Sequence, residues 1–165
     1  MSESLGSIYL AELDAEATAT RACLERVPER LFGWKPHDKS MPMGYLAQIV
    51  AEIPLWITVM CEEDSIDFVT FQHATIATTA DLVRHFDENM AKARAALASI
   101  RDDALGAVFT LKAKGQVVGA IPKRVNISSS INHMVHHRGQ LTVYLRLNGI
   151  PVPSIYGPSA DERTF

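Results

Sequence analysis

Hydrophobic positions recur at three- and four-residue steps in four long stretches of this chain, and that spacing predicts four amphipathic helices. The first covers residues 7–27, with Ile8, Leu10, Leu13, Ala17, Cys23, Leu24 and Val27 on the apolar side. Pro28 closes it, and the prolines around Trp34-Lys35-Pro36-His37 forbid a continuous helix through the next connection. The second covers 42–61 through Leu46, Ile49, Val50, Ile53, Trp56 and Ile57, with Ser40 placed to cap it and Pro54 predicted to kink it. The third, 79–101, starts at Thr78 or Thr79 as cap with Asp81 in the first turn, ahead of Leu82, Phe86, Met90, Ala93 and Leu97. The fourth, 122–148, opens on Pro122 and stops at Asn148-Gly149, with Pro151 just beyond.

The connections are long. Residues 62–75 read as an irregular segment whose Phe68, Val69 and Phe71 tuck back onto the helices. Val108–Leu111 and Gln116–Val118 flank Gly115 as a short hairpin before the last helix. The tail from Pro151 to Pro158 is rich in helix breakers and is expected to wrap along the helices. The architecture predicted is one all-α domain over residues 1–165, a four-helix bundle with long connections.

Composition narrows the function classes. The chain has 165 residues, 47% hydrophobic and 21% charged, enough for one buried core. A net charge of -3 argues against a broad nucleic-acid footprint, which needs a basic face. Lys112, Lys114, Lys123 and Arg124 form a local basic cluster, read as a solvated rim. Cys23 and Cys61 have no C-x-x-C spacing and make neither a disulfide framework nor a thiolate zinc site. No signal peptide and no membrane-spanning run is visible, so a cytoplasmic location is expected.

The chemistry concentrates in Asn132-His133-Met134-Val135-His136-His137-Arg138-Gly139-Gln140. His133 and His137 are four residues apart, so a helix stacks them on one face, where both imidazoles can reach one cation. His136 is turned about 100° away and does not share that position. Met134 stands where a zinc protease motif has glutamate. Arg138 calls for a buried carboxylate partner, with Glu12 and Glu16 on the first helix as candidates. His37 and His85 read as surface residues, and His73 as a loop residue free to reach a site. Trp34 and Trp56 read as core at the ends of the helices.

The stretch from Ile131 to Pro158, with HHRGQ its most specific part, resembles the last helix and tail of DinB/YfiT-like proteins, and Leu24 to Trp56 resembles their first connection and second helix. The resemblance implies a four-helix bundle, usually a homodimer, holding one divalent ion, zinc or nickel, on three histidines. It also implies a small-molecule substrate or a thiol such as bacillithiol, mycothiol or glutathione, in a metal-dependent transferase or hydrolase. His133 and His137 match two of the family's ligands. The third, a histidine on the second helix, aligns with Ile49, which offers no lone pair.

Three outcomes stay open at that point. Glu52, one turn along, or the adjacent Gln48 completes the shell. A weak two-histidine site survives. Or Ile49 packs a site that has lost its metal, leaving a non-catalytic dimeric bundle that binds a small apolar ligand or a partner protein.

Overall fold

The computed structural model describes residues 4–163; the first three residues, where the chain was read as carrying no signal peptide, lie outside the described residues, as do the last two. Four long helices form the body: α1 (Leu5–Leu24), α2 (Met43–Glu62), α3 (Thr79–Ser99) and α5 (Lys123–Leu147), with a single-turn α4 (Asp102–Leu105) after α3. α2 packs on α3 and α5, and α1 packs on the same two, so α1 and α2 lie on one diagonal of the bundle. Gly6 makes the α1–α3 approach close: a Cβ there would stand 2.4 Å from the Leu97 carbonyl oxygen.

The helix boundaries fall within a few residues of those the periodicity predicts, and the caps explain the differences. Thr78 caps α3 in a reciprocal box, its hydroxyl accepting from Asp81 N while the Asp81 carboxylate accepts from Thr78 N. Ser40 does not cap α2; the boundary residue is Pro42, with no side-chain cap. Gly44 sits under Phe32, whose Cβ would be 2.8 Å from an added Cβ, so the preceding connection docks onto the first turn instead. Backbone bonds from Met43 N to Trp34 O and Gly44 N to Phe32 O fix that dock. α2 continues through Pro54 without ending. It is long and apolar enough to cross a membrane by composition, but most of it faces α3 and α5 inside the bundle.

The all-α expectation needs correction. The expected hairpin is present as β2 (Val108–Ala113) and β3 (Gln116–Pro122), and the connection read as irregular contributes β1 (Ser65–Asp67). β1 runs parallel to β2 and β2 antiparallel to β3, giving a three-stranded mixed sheet. Its turn is Lys114-Gly115, both at positive φ (50° and 76°), which suits a two-residue hairpin. Asp67 ties the turn to β1: its carboxylate accepts from Lys114 N (3.1 Å) and Gly115 N (2.6 Å). Those backbone donors, Gly115 foremost, hold the Asp67 carboxyl below the usual carboxylate range.

Phe68 and Val69 do not tuck back but are about half exposed. A three-residue parallel strand is invisible to periodicity, because it is too short to alternate and its partner lies 45 residues away, Ser65 opposite Thr110. Within the basic cluster Lys123 is buried rather than solvated, its Nζ 3.1 Å from Asp64 Oδ1.

Candidate functional site

A cavity of about 440 Å³ opens between α2, α5 and the small sheet. α2 contributes Ile49, Trp56 and Met60, α5 contributes His133, β1 and β2 contribute Ile66 and Leu111, and the β1–α3 connection contributes Phe71 and His73. Its walls are mostly apolar and aromatic, with a few polar groups placed among them, the usual make-up of a small-molecule site. The small sheet therefore supplies one wall through Ile66 and Leu111.

The helical spacing brings His133 and His137 together as predicted. Their Nε2 atoms are 2.6 Å apart and their ring centroids 4.4 Å. His137 is buried, and its Nδ1 lies 2.7 Å from Gln140 Oε1. An amide oxygen accepts only, so His137 donates through Nδ1 and offers the lone pair of Nε2 to His133 Nε2–H. Gln140 thus orients His137 as an outer partner orients a ligating imidazole. His133 reaches the cavity with Trp56 beside it, ring centroids 5.7 Å apart. Burial first, then the His137 and His136 rings, hold the His133 imidazole below its ordinary value of 6.5, which favours the neutral form.

Ile49 lines the same cavity, where the alignment of a lost ligand would put it. Glu52 does not join the histidine pair. It is 1% exposed, and its two oxygens are hydrogen-bonded by His73 Nδ1 at 2.7 Å, Gln48 Nε2 at 3.0 Å and Ala74 N at 3.2 Å, with His85 Nε2 3.7 Å from Oε1. Gln48, the other substitute considered, is bound to Glu52 and to the Ala74 carbonyl. Among the described residues no group of three or more His, Cys, Asp or Glu side chains is arranged to hold a metal ion. The residues present therefore do not fit a three-histidine centre: two imidazoles converge, and the third position carries a hydrocarbon.

The other sequence candidates separate cleanly. His73 is in the network, bonded to Glu52. His85 is not solvent-facing; its Nε2 accepts from Asn89 Nδ2 at 3.1 Å, and Asn89 also donates to the Ala51 carbonyl, bracing α3 on α2. His37 is exposed in its connection, accepting from Lys39 N. Arg138 finds Glu16, not Glu12, at 2.6 Å, and is 1% exposed. Trp34 meets Tyr144 edge-on at 5.5 Å. Burial pushes the Cys23 and Cys61 thiols up to about 11, which disarms both as nucleophiles. Pairing by sequence separation alone does not reveal the Glu52–His73 contact; the signal available was an acidic residue on an otherwise apolar helix, which needs a partner.

The chain belongs to the DinB family, whose model matches residues 1–164. Solved relatives share the fold at low identity. A DinB-like protein from Bacillus subtilis (YjoA) superposes with a TM-score of 0.70 at 19% identity, covering 95% of this chain and 99% of the other. One from Bacillus cereus ATCC 10987 gives 0.68 at 21%, covering 90% and 95%. A protein from Exiguobacterium sibiricum 255-15 gives 0.67 at 14%, covering 93% and 98%. The uncharacterized protein YrdA of Bacillus subtilis strain 168 is 56% identical over 32 residues, a match that spans 19% of this chain and 19% of YrdA.

Proposed function

We propose that this DinB-family protein binds a small, largely apolar molecule in the cavity between α2, α5 and the sheet, without a metal bound by three histidines. The observation that carries this reading is Ile49: the wall position aligned with a family ligand is a buried isoleucine, in a cavity whose lining is already mostly hydrocarbon and aromatic. Removing a ligand weakens chelation, whereas an isoleucine there adds apolar area for a guest to cover. His133 gives the site one neutral polar pole beside Trp56.

Titration calorimetry with methoxynaphthalene, protein injected into dissolved probe, tests this directly. The parent protein is expected to bind one molecule per chain. Ile49→Trp fills the cavity and is expected to abolish binding while the far-UV spectrum stays helical. A parent protein that takes up no probe overturns the reading.

A second reading rests on the 2.6 Å convergence of two Nε2 atoms: a divalent ion held by His133 and His137 alone. Elemental analysis of protein purified without a metal-affinity tag separates the two. Stoichiometric zinc or nickel supports the second reading, and metal-free protein that still binds the probe leaves the first alone.

A further inference from the structure

The cavity has a second polar pole that the histidine pair does not explain. Glu52 is buried, and its oxygens accept from a side-chain amide and a backbone N–H: Gln48 Nε2 and Ala74 N to Oε1. Gln48 is held in that orientation because the same amide nitrogen donates to the Ala74 carbonyl at 2.7 Å. Oε2 is left for His73 Nδ1 at 2.7 Å. A carboxylate whose other oxygen is taken by donors accepts here too, so the hydrogen of neutral His73 lies on Nδ1 and its Nε2 carries a lone pair.

His73 lines the cavity and Glu52 does not. The ring therefore turns Nδ1 inward to the protein, and Nε2, across the ring, has no hydrogen-bond partner among the described residues. Phe71 packs edge-on to the same ring at 5.3 Å and limits its rotation.

We propose that the Glu52–His73 pair is a fixed hydrogen-bond acceptor for the cavity's guest, so that the site selects apolar aromatic molecules bearing a hydroxyl, phenols above all, over their ethers. The inference rests on the cavity reading above and adds the class of guest. An aromatic body suits walls built by Trp56, Phe71 and Phe68, and its hydroxyl supplies the donor that His73 Nε2 lacks. An ether of the same shape brings only an acceptor and leaves two lone pairs facing each other, which costs binding. His133 donates its Nε2–H to His137 and keeps a lone pair on Nδ1, so His133→Phe is the control that separates the two acceptors.

Naphthol and methoxynaphthalene are the probes, compared by titration calorimetry on the parent, His73→Phe, Glu52→Gln and His133→Phe. The parent is expected to bind naphthol roughly fivefold tighter than the ether, the size of one net hydrogen bond. His73→Phe keeps a ring on the wall and loses the acceptor, so the preference should vanish while ether affinity is retained. Glu52→Gln is near-isosteric and holds the ring less firmly, so the preference should fall toward equality. His133→Phe should leave it intact.

Equal binding of both probes by the parent leaves the cavity reading standing and overturns this one. So does a preference that survives His73→Phe or disappears in His133→Phe. If the parent binds neither probe, the cavity reading fails and this inference falls with it.

Discussion

The two sides of α5 carry polar groups to opposite fates. On one, Arg138 is 1% exposed and closed off completely: Glu16 Oε2 lies at 2.6 Å, Thr20 Oγ1 at 3.0 Å and Tyr156 Oη at 2.8 Å. Tyr156 in turn donates to Glu16 at 2.9 Å, so the tail is tied to α1 through the same pair. On the other, His133 and His137 converge on each other, and His133 faces an apolar cavity. The difference is one of completion. A buried guanidinium with its charge matched and its donors directed is a structural joint, and it has nothing left to offer a ligand. His133, beside an open cavity, keeps the Nδ1 lone pair that its bond to His137 does not use.

Removing the closed joint should have the largest effect. Arg138→Ala is expected to cost about 3–5 kcal/mol, because it strands Glu16, opens a void at α1 and releases the tail. Urea unfolding at neutral pH measures it. A loss under about 1 kcal/mol, the range of an exposed pair, would break the contrast between the two sides of α5.

On the open side, restoring the missing imidazole is the sharpest change. Ile49→His is expected to raise zinc or nickel affinity at least tenfold, about 1.4 kcal/mol. The metal-free variant should be less stable than the parent, since a polar ring replaces a packed isoleucine, and added metal should recover the loss. Competition with a chelating dye and thermal melts with and without metal read both effects. Glu52→Ala should leave whatever metal affinity the parent has unchanged, because Glu52 is committed to His73; a parent affinity that vanishes with Glu52 would reinstate it as a ligand.

The smallest effect distinguishes the two sides by pH. His133 is held below 6.5 in the folded chain, so folding disfavours its protonation. Its contribution to stability is fully present above 6.5 and is lost as pH falls through the lower folded value. Unfolding midpoints from about pH 7.5 down to about pH 5, a window that brackets the imidazole range, should drop more steeply for the parent than for His133→Phe. Parallel curves would mean that the His133 environment is no drier than solvent.

Much of this architecture was legible along the chain because it is local. Helix periodicity, the Thr78–Asp81 box and the i, i+4 histidine pair each need only a few neighbouring residues, so pattern alone carries them. Arg138 announced its need for a carboxylate, and geometry then chose Glu16 over Glu12, four residues apart on α1.

What stayed hidden depends on contacts between segments far apart in sequence. Sequence determined the four long helices, the hairpin and the helix face that presents His133 and His137, because backbone periodicity and side-chain direction follow from local conformation. Only the tertiary structure decided that β1 would pair with β2, that the resulting sheet would wall a cavity against α2, and that Glu52 would turn to His73. Those choices are set by long-range burial: a polar group inside must find whichever partner the packed chain brings within hydrogen-bonding reach, and no local pattern records which one that is.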